Sequence, residues 1–300
     1  MEFPKISIVT PSFNQGHYLE RTIKSILDQN YPNLEYIIID GGSTDNSVEI
    51  IKKYEDKITF WKSEKDRGMY DAINQGLAMA TGEIQAWLNS DDIYLNGCLF
   101  TVAEIFAEYT QIKWLTSNRL CVNEKDRIVS NNPTPSVNLR QFITGSVKII
   151  QQEATFWRSE LFNQQGPIPL NIKYAGDYFL WTQFYEVAQL TIVRTVFSAF
   201  RYRKNNQTTL DHMETYMDEV HQVRRELKAR LFDSEVKESL VRRALRRFRL
   251  LSYLNKFGLF KKKVSEEIFT KRPIILHYNR SLDKYRPGKN HQKNLTNLEK

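Results

Sequence analysis

The 300-residue sequence has only two cysteines, Cys98 and Cys121, and their separation matches no metal-ligand spacing, so a buried structural role suits both. It has no Gly-x-Gly-x-x-Gly after its first strand-like segment and no Gly-Lys-Ser/Thr phosphate loop, which argues against a dinucleotide enzyme or a phosphate-loop ATPase. No uncharged apolar run approaches the ~20 residues that cross a bilayer. The first residues lead straight into strand-like residues 6–10 with no leader-like apolar stretch behind them. These absences predict a cytoplasmic protein, soluble or peripheral on the inner face of the membrane. Internal repeats and low-complexity linkers are lacking as well.

Charge is unevenly spread. The net charge is +8, yet residues 221–264 hold fourteen Lys and Arg against four Asp and Glu, a local +10, so the remainder is near neutral. Any polyanion would be met through this C-terminal part. Aromatics are not interleaved with the charge as a stacking platform, which argues against nucleic acid.

What the sequence does contain, over its first two thirds, is alternation. Strand-like residues 5–10, 34–39, 58–61 and 84–88 are separated by helical spacings at 18–27, around Val48 and Ile51, and at 70–79. Short connections join them. This order predicts an α/β fold with a mostly parallel sheet flanked by helices, with ligands at the carboxyl ends of the strands. Residues 11–14, Asp40, Arg67, Asp91 and Asp92 all fall at such ends. Further on, a helix at 97–109 precedes an irregular region, a helix covers 178–187, and residues 190–202 read as one last long strand. A first domain is expected over 1–209, a basic helical appendage over 210–270, and a polar, poorly ordered tail over 271–300.

Each candidate residue admits a functional and a purely structural account. The apolar run 84–88 stops at Asp91-Asp92, two carboxylates able to hold Mg²⁺ or Mn²⁺ with a diphosphate, or to cap the next helix. Asp40 could accept from a nucleobase or ribose, or only shape the turn before Gly41-Gly42. Arg67 could pair with phosphate, or with Asp66 or Asp71. Asp177, among Tyr178, Phe179 and Trp181, could be a poorly solvated general base or a helix cap.

In series, Ile8-Val9-Thr10-Pro11-Ser12-Phe13-Asn14, Asp40-Gly41-Gly42-Ser43-Thr44-Asp45, Asp66-Arg67-Gly68, Asp71-Ala72-Ile73-Asn74, Ala80-Thr81-Gly82-Glu83 and Leu88-Asn89-Ser90-Asp91-Asp92 resemble the family 2 inverting glycosyltransferases of GT-A fold. The resemblance spans about residues 5–205. It implies a nucleotide-sugar donor, most simply a UDP-sugar, and a glycan or lipid-linked acceptor in cell-surface polysaccharide or glycoconjugate synthesis. Thr10, Pro11, Ser12, Phe13 and Asp40 would hold the nucleoside, with Asp40 facing the base, and Arg67 and Asp71 would lie near the diphosphate and sugar. Asp91 and Asp92 would hold the metal, with Asp92 the principal ligand. Asp177 would be the catalytic base, and Gln152, Glu153 and Trp157 would lie on the acceptor side.

Two departures stand out. Asn89-Ser90 occupy places where many relatives carry another Asp, and Tyr202-Arg203 follow Arg201 where many carry a His. Arg203 cannot ligate a metal but can pair with phosphate. The Gln-x-x-Arg-Trp motif and membrane helices of the processive synthases are missing, which points to transfer of one sugar per encounter. A non-catalytic nucleotide-sugar binding subunit is the competing account. A nucleotidyltransferase would instead carry a Gly-rich, basic signature after its first strand. The amphipathic stretch 236–257, within basic residues 221–263, could lie on an anionic membrane surface or pack on protein.

Overall fold

The computed structural model describes residues 3–145, 150–204, 211–231 and 272–288. Strand β1 (Ile6–Ser12) is buried at every position. That suits its β-branched composition, because both faces of a central parallel strand are covered. Helix α1 (Gly16–Leu27) returns over it, burying Leu19, Thr22, Ile23 and Ile26 at helical spacing. The alternation continues through β2 (Leu34–Asp40), α2 (Ser47–Lys52), β3 (Phe60–Ser63), α3 (Met69–Met79) and β4 (Ile84–Trp87).

Then come β5 (Ile93–Tyr94), α4 (Cys98–Glu108), β6 (Trp114–Ser117), β7 (Arg119–Val122), β8 (Ile128–Asn132), α5 (Leu139–Thr144), β9 (Phe156–Arg158), α6 (Ser159–Gln165) and α7 (Gly176–Val187). The remaining described elements are β10 (Leu190–Val193), β11 (Ser198–Arg201), α8 (Met213–Leu231), β12 (Ile274–Asn279) and β13 (Lys284–Pro287).

Among the described residues the strands form a nine-stranded sheet in the order β13-β12-β10-β6-β9-β4-β1-β2-β3, and a smaller one ordered β5-β11-β7-β8. The pairs β1–β2, β1–β4, β2–β3, β6–β10 and β10–β12 are parallel, while β9 runs antiparallel between β4 and β6. Chain order reverses around β1, so the ends of β1 and β4 open a crevice at a topological switch point.

The structure departs from the sequence expectation in two places. Residues 190–202 form two strands, because β10 pairs with β6 in the large sheet and β11 with β7 in the small one. Both pairs bend together, where Asn118 N donates to Thr195 O at 2.8 Å. A continuous apolar run carries no mark of that change of sheet. Residues 274–287, expected in a polar tail, instead add β12 and β13 to the large sheet; Ile274 and Leu276 are buried there.

Helix α8 opens the segment expected to be an appendage. It buries Tyr216, Val220, Val223, Leu227 and Leu231, which join the main core. Two of its basic residues face protein. Arg224 Nε donates to Tyr178 Oη at 2.7 Å, and Arg230 pairs with Glu186 at 2.7 Å. The amphipathic stretch 236–257 lies outside the described residues.

Under α7 the core is aromatic. Trp181 stacks on Trp87 and on Trp114 with ring centroids 5.8 and 5.6 Å apart, and Trp157 meets Trp87 edge-on at 5.6 Å. Trp157 is fully buried in this cluster, so the acceptor-side role expected for it is not what the structure shows. Large rings interlock there because each contributes extensive apolar area and an edge-to-face preference.

Candidate active site

Two adjoining cavities open where the parallel strands end. The larger, about 670 Å³, is lined from β1 by Pro11, Ser12 and Phe13, from the turn after β2 by Gly41 and Gly42, and from beyond β3 by Lys65 and Asp66. Asn89, Ser90 and Asp91 after β4, with Lys173, Phe200 and Arg203, also face it. The smaller, about 190 Å³, is walled by Tyr70, Trp87, Tyr174, Tyr202, Met213 and Tyr216, with Arg119, Glu153 and Asp177 as its charged groups and Gln152 among its amides. Met69, Asn89 and Phe200 line both, so they form the partition.

The acidic pair divides its labour. Asp91 reaches the larger cavity, where its Oδ2 lies 3.0 Å from Arg203 Nη2. Asp92, expected as the principal metal ligand, lies behind it at 1% exposure. Its Oδ1 accepts from Arg201 N at 2.8 Å, and its Oδ2 is buried without a hydrogen-bond partner among the described residues. Burial raises the Asp91 carboxyl against the opposing charge of Arg203, and burial, reinforced by Asp91 and Glu153, raises Asp92 well above the usual carboxylate range.

Two desolvated carboxylates in sequence, one with an unused oxygen, form a donor set that a hard divalent cation would fit. Among the described residues no group of three or more His, Cys, Asp or Glu is arranged to hold a metal. Most coordination would therefore come from the ligand's own oxygens.

Arg201 fixes this corner. Fully buried, it donates from Nε to Asp91 O at 2.7 Å and from Nη1 to Asn123 O at 3.0 Å, and pairs with Asp126. Its guanidinium also lies 5.2 Å from the centre of the Tyr18 ring, with Arg203 on the same ring at 5.6 Å. No local pattern in the sequence singles out Arg201, because nothing in it shows that β11 runs beside the Asp91-Asp92 turn.

Several expected ligand contacts are engaged elsewhere. Asp40 is fully buried, its carboxylate accepting from Gly42 N, Ser43 N, Ser43 Oγ and Ser63 Oγ. These bonds shape the turn after β2 and occupy the carboxylate expected to face the base. Besides Asp91, the acidic group in the larger cavity is Asp66, raised by burial, which sits so close that a Cβ on Gly41 would lie 2.7 Å from its Oδ2. Arg67 points to solvent and clasps Asp71, Nη2 to Oδ1 at 2.9 Å, one helical turn away; neither lines either of these two cavities. Thr10 is buried beneath β2, where Tyr36 Oη donates to its hydroxyl at 3.1 Å. Pro11, Ser12 and Phe13 do reach the cavity, with Phe13 58% exposed.

Asp177 stands in the first turn of α7 and faces the smaller cavity with Gln152 and Glu153. Its Oδ1 accepts from Tyr178 N at 2.7 Å. Burial pushes its carboxyl up to about 7, against that hydrogen bond and with a contribution from Glu153. Gln152 Nε2 donates to Trp87 O at 2.6 Å, and Glu153 is itself raised by burial, opposed by Arg119. A carboxylate near neutrality in an aromatic pocket is matched to proton abstraction from a hydroxyl. The helix start it occupies is set by close packing: a Cβ on Gly176 would lie 2.5 Å from the Tyr70 ring.

A mostly parallel sheet flanked by helices, with its crevice at the strand ends and an acidic pair beside it, defines the GT-A class of α/β fold. Glycosyl transferase family 2 is the family whose model matches, over residues 7–164, and the chain belongs to that family. An uncharacterized glycosyltransferase of Mycobacterium tuberculosis is 32% identical over 207 residues, covering 66% of this chain and 75% of that one. A teichuronic acid biosynthesis glycosyltransferase of Bacillus subtilis, TuaG, itself described as putative, is 40% identical over 92 residues, or 30% of this chain and 36% of its own length. The structure of Staphylococcus aureus TarS residues 1–349 in complex with UDP-GlcNAc superposes with a TM-score of 0.61 at 18% identity, covering 84% of this chain and 73% of that one. This chain spans 43% of the longer TarS chain.

Proposed function

We propose that the protein is an inverting glycosyltransferase that moves one sugar from a nucleotide-diphospho-sugar, most simply a UDP-sugar, to a glycan or lipid-linked acceptor of cell-surface polysaccharide synthesis. The observation that carries this reading is the pair of cavities meeting at Met69, Asn89 and Phe200, with Asp91 in one and Asp177 in the other. A donor in the larger and an acceptor in the smaller would present the anomeric carbon to the acceptor hydroxyl across that partition. The kinship with TuaG supports the acceptor class, and the UDP-GlcNAc held by TarS supports the donor class.

In this mechanism Phe13, Ser12 and Asp66 form the nucleoside end, and Arg203 and Lys173 supply positive charge for the diphosphate. Asp91 and Asp92 would hold Mg²⁺ or Mn²⁺, which when bound neutralises charge on the departing diphosphate. Asp177 takes the proton from the acceptor hydroxyl as its oxygen attacks the anomeric carbon. The bond from that carbon to the β-phosphate oxygen breaks, the nucleoside diphosphate leaves and configuration inverts. Aromatic walls exclude water from the base and favour an apolar sugar face.

The test is release of nucleoside diphosphate from a panel of nucleotide-sugars with candidate acceptors and Mn²⁺ or Mg²⁺. Release that depends on Asp177 is expected. No release from any donor would reduce the protein to a binding subunit.

A further inference from the structure

Helix α8 lies beyond the 7–164 family match, yet one of its carboxylates is built into the site. Glu219 accepts three successive backbone N–H groups: Lys173 N to Oε1 at 2.8 Å, and Tyr174 N and Ala175 N to Oε2 at 2.8 and 2.9 Å. These amides lead directly into α7. Lys173 lines the larger cavity, Tyr174 the smaller, and Ala175 caps the helix whose first turn carries Asp177.

The same loop is clamped from its other sides. Tyr70 Oη of α3 donates to Tyr174 O at 2.9 Å, and the Tyr174 ring stacks on His212, centroids 4.9 Å apart. Earlier on the same helix, within two turns of Glu219, Met213 and Tyr216 form part of the smaller cavity's wall.

We propose that Glu219 is a positioning residue for transfer: it holds the 173–175 loop in the one conformation that presents Lys173 to the donor and Asp177 to the acceptor. The proposal rests on the transferase reading above. Its physical basis is that amides entering a helix have no intrahelical acceptor, and a carboxylate there satisfies them and also faces the positive end of the helix dipole. One carboxylate with two acceptor oxygens can serve all three N–H groups. A carboxamide of the same shape has one acceptor oxygen, and its NH₂ would confront at least one N–H.

The experiment compares Glu219→Gln and Glu219→Ala with Glu226→Gln, an exposed position on the same helix that changes charge identically. Nucleoside-diphosphate release from UDP-glucose, UDP-galactose and UDP-N-acetylglucosamine is measured across pH, alongside amide hydrogen exchange of the 173–175 segment. For Glu219→Gln we expect kcat to fall on the order of 10–100-fold, a raised donor KM, a displaced acid limb of the pH profile, and lost protection of the three amides. Glu226→Gln should match the wild type.

Glu219→Gln within about twofold of wild type, or an activity loss equal to the loss of folded protein with an unchanged pH profile, overturns the proposal and leaves the transferase reading standing. If the wild type releases nothing from any donor, that reading fails. The proposal then falls with it, whereas retained protection of the three amides in Glu219→Gln with an active wild type overturns the proposal alone.

Discussion

Asp91 and Arg203 form an ion pair in the wall of the larger cavity, Oδ2 to Nη2 at 3.0 Å. Arg203 already neutralises a carboxylate expected to meet the metal. A diphosphate arriving there would meet a guanidinium prepositioned over the Tyr18 ring. Arg203→Ala should therefore weaken donor binding by roughly 10–100-fold, the equivalent of one or two charge-assisted hydrogen bonds. Donor KM from initial rates is the measurement. A variant that lowers kcat at unchanged KM would move Arg203 away from the diphosphate.

Asp177→Asn should lose roughly 10²–10⁴-fold in turnover, the range for a missing general base. With its carboxyl at about 7, wild-type kcat/KM should rise with pH through neutrality and level off above it. The stability sign is opposite. The folded value exceeds the unfolded one, so the native state binds the extra proton and stability falls as pH rises from about 4 to about 7. The Asn variant should thus be more stable above neutrality, by on the order of 1–3 kcal/mol, as thermal or urea unfolding at two pH values would show.

Glu35 is the contrasting case, at the far end of β1 and β2. It is 5% exposed and accepts from Lys5 Nζ, Ser7 Oγ, Thr81 N and Thr81 Oγ1. Burial alone would raise it, but these bonds hold it down to about 2. Its contribution is present above the unfolded carboxylate value and lost as pH falls from about 4.5 to 2, up to about 3 kcal/mol. Glu35→Gln should flatten that part of the acid-unfolding curve and leave the neutral pH–rate profile unchanged.

Gly176→Ala tests the packing that places the base. Its new methyl would meet the Tyr70 ring at 2.5 Å, inside a filled core. Overpacking of this kind costs about 1–3 kcal/mol. Urea midpoints should fall accordingly, and residual activity should fall further than the folded fraction, because α7 must shift. Activity tracking the folded fraction would separate the packing from the base.

Much of this site could be read before the fold was known. Alternation of strand and helix placed residues 11–13 and Asp91 at strand ends, and those four do meet in one cavity. Asp177, picked out as a carboxylate among aromatics, does face the adjoining one. What the sequence does not show is which partner each side chain takes. Asp40, Arg67 and Trp157 are held by local partners: a turn, a carboxylate four residues on, and a stack of tryptophans. Competition among short-range partners is decided by side-chain direction, which a string of residues does not carry.

By itself the sequence determined the class of fold, the end of the sheet where the cavities open, and the acidic pair marking it, because strand periodicity and short connections leave few topologies. Tertiary structure alone decided the rest. It set Arg203 against Asp91, Arg201 behind Asp92, and Glu219 against the loop before Asp177, contacts that join residues 44 to 112 positions apart. It also returned residues 274–287 to the large sheet. Such pairings depend on how β11, α8 and β12 pack around a core already formed, and packing is a property of the whole chain.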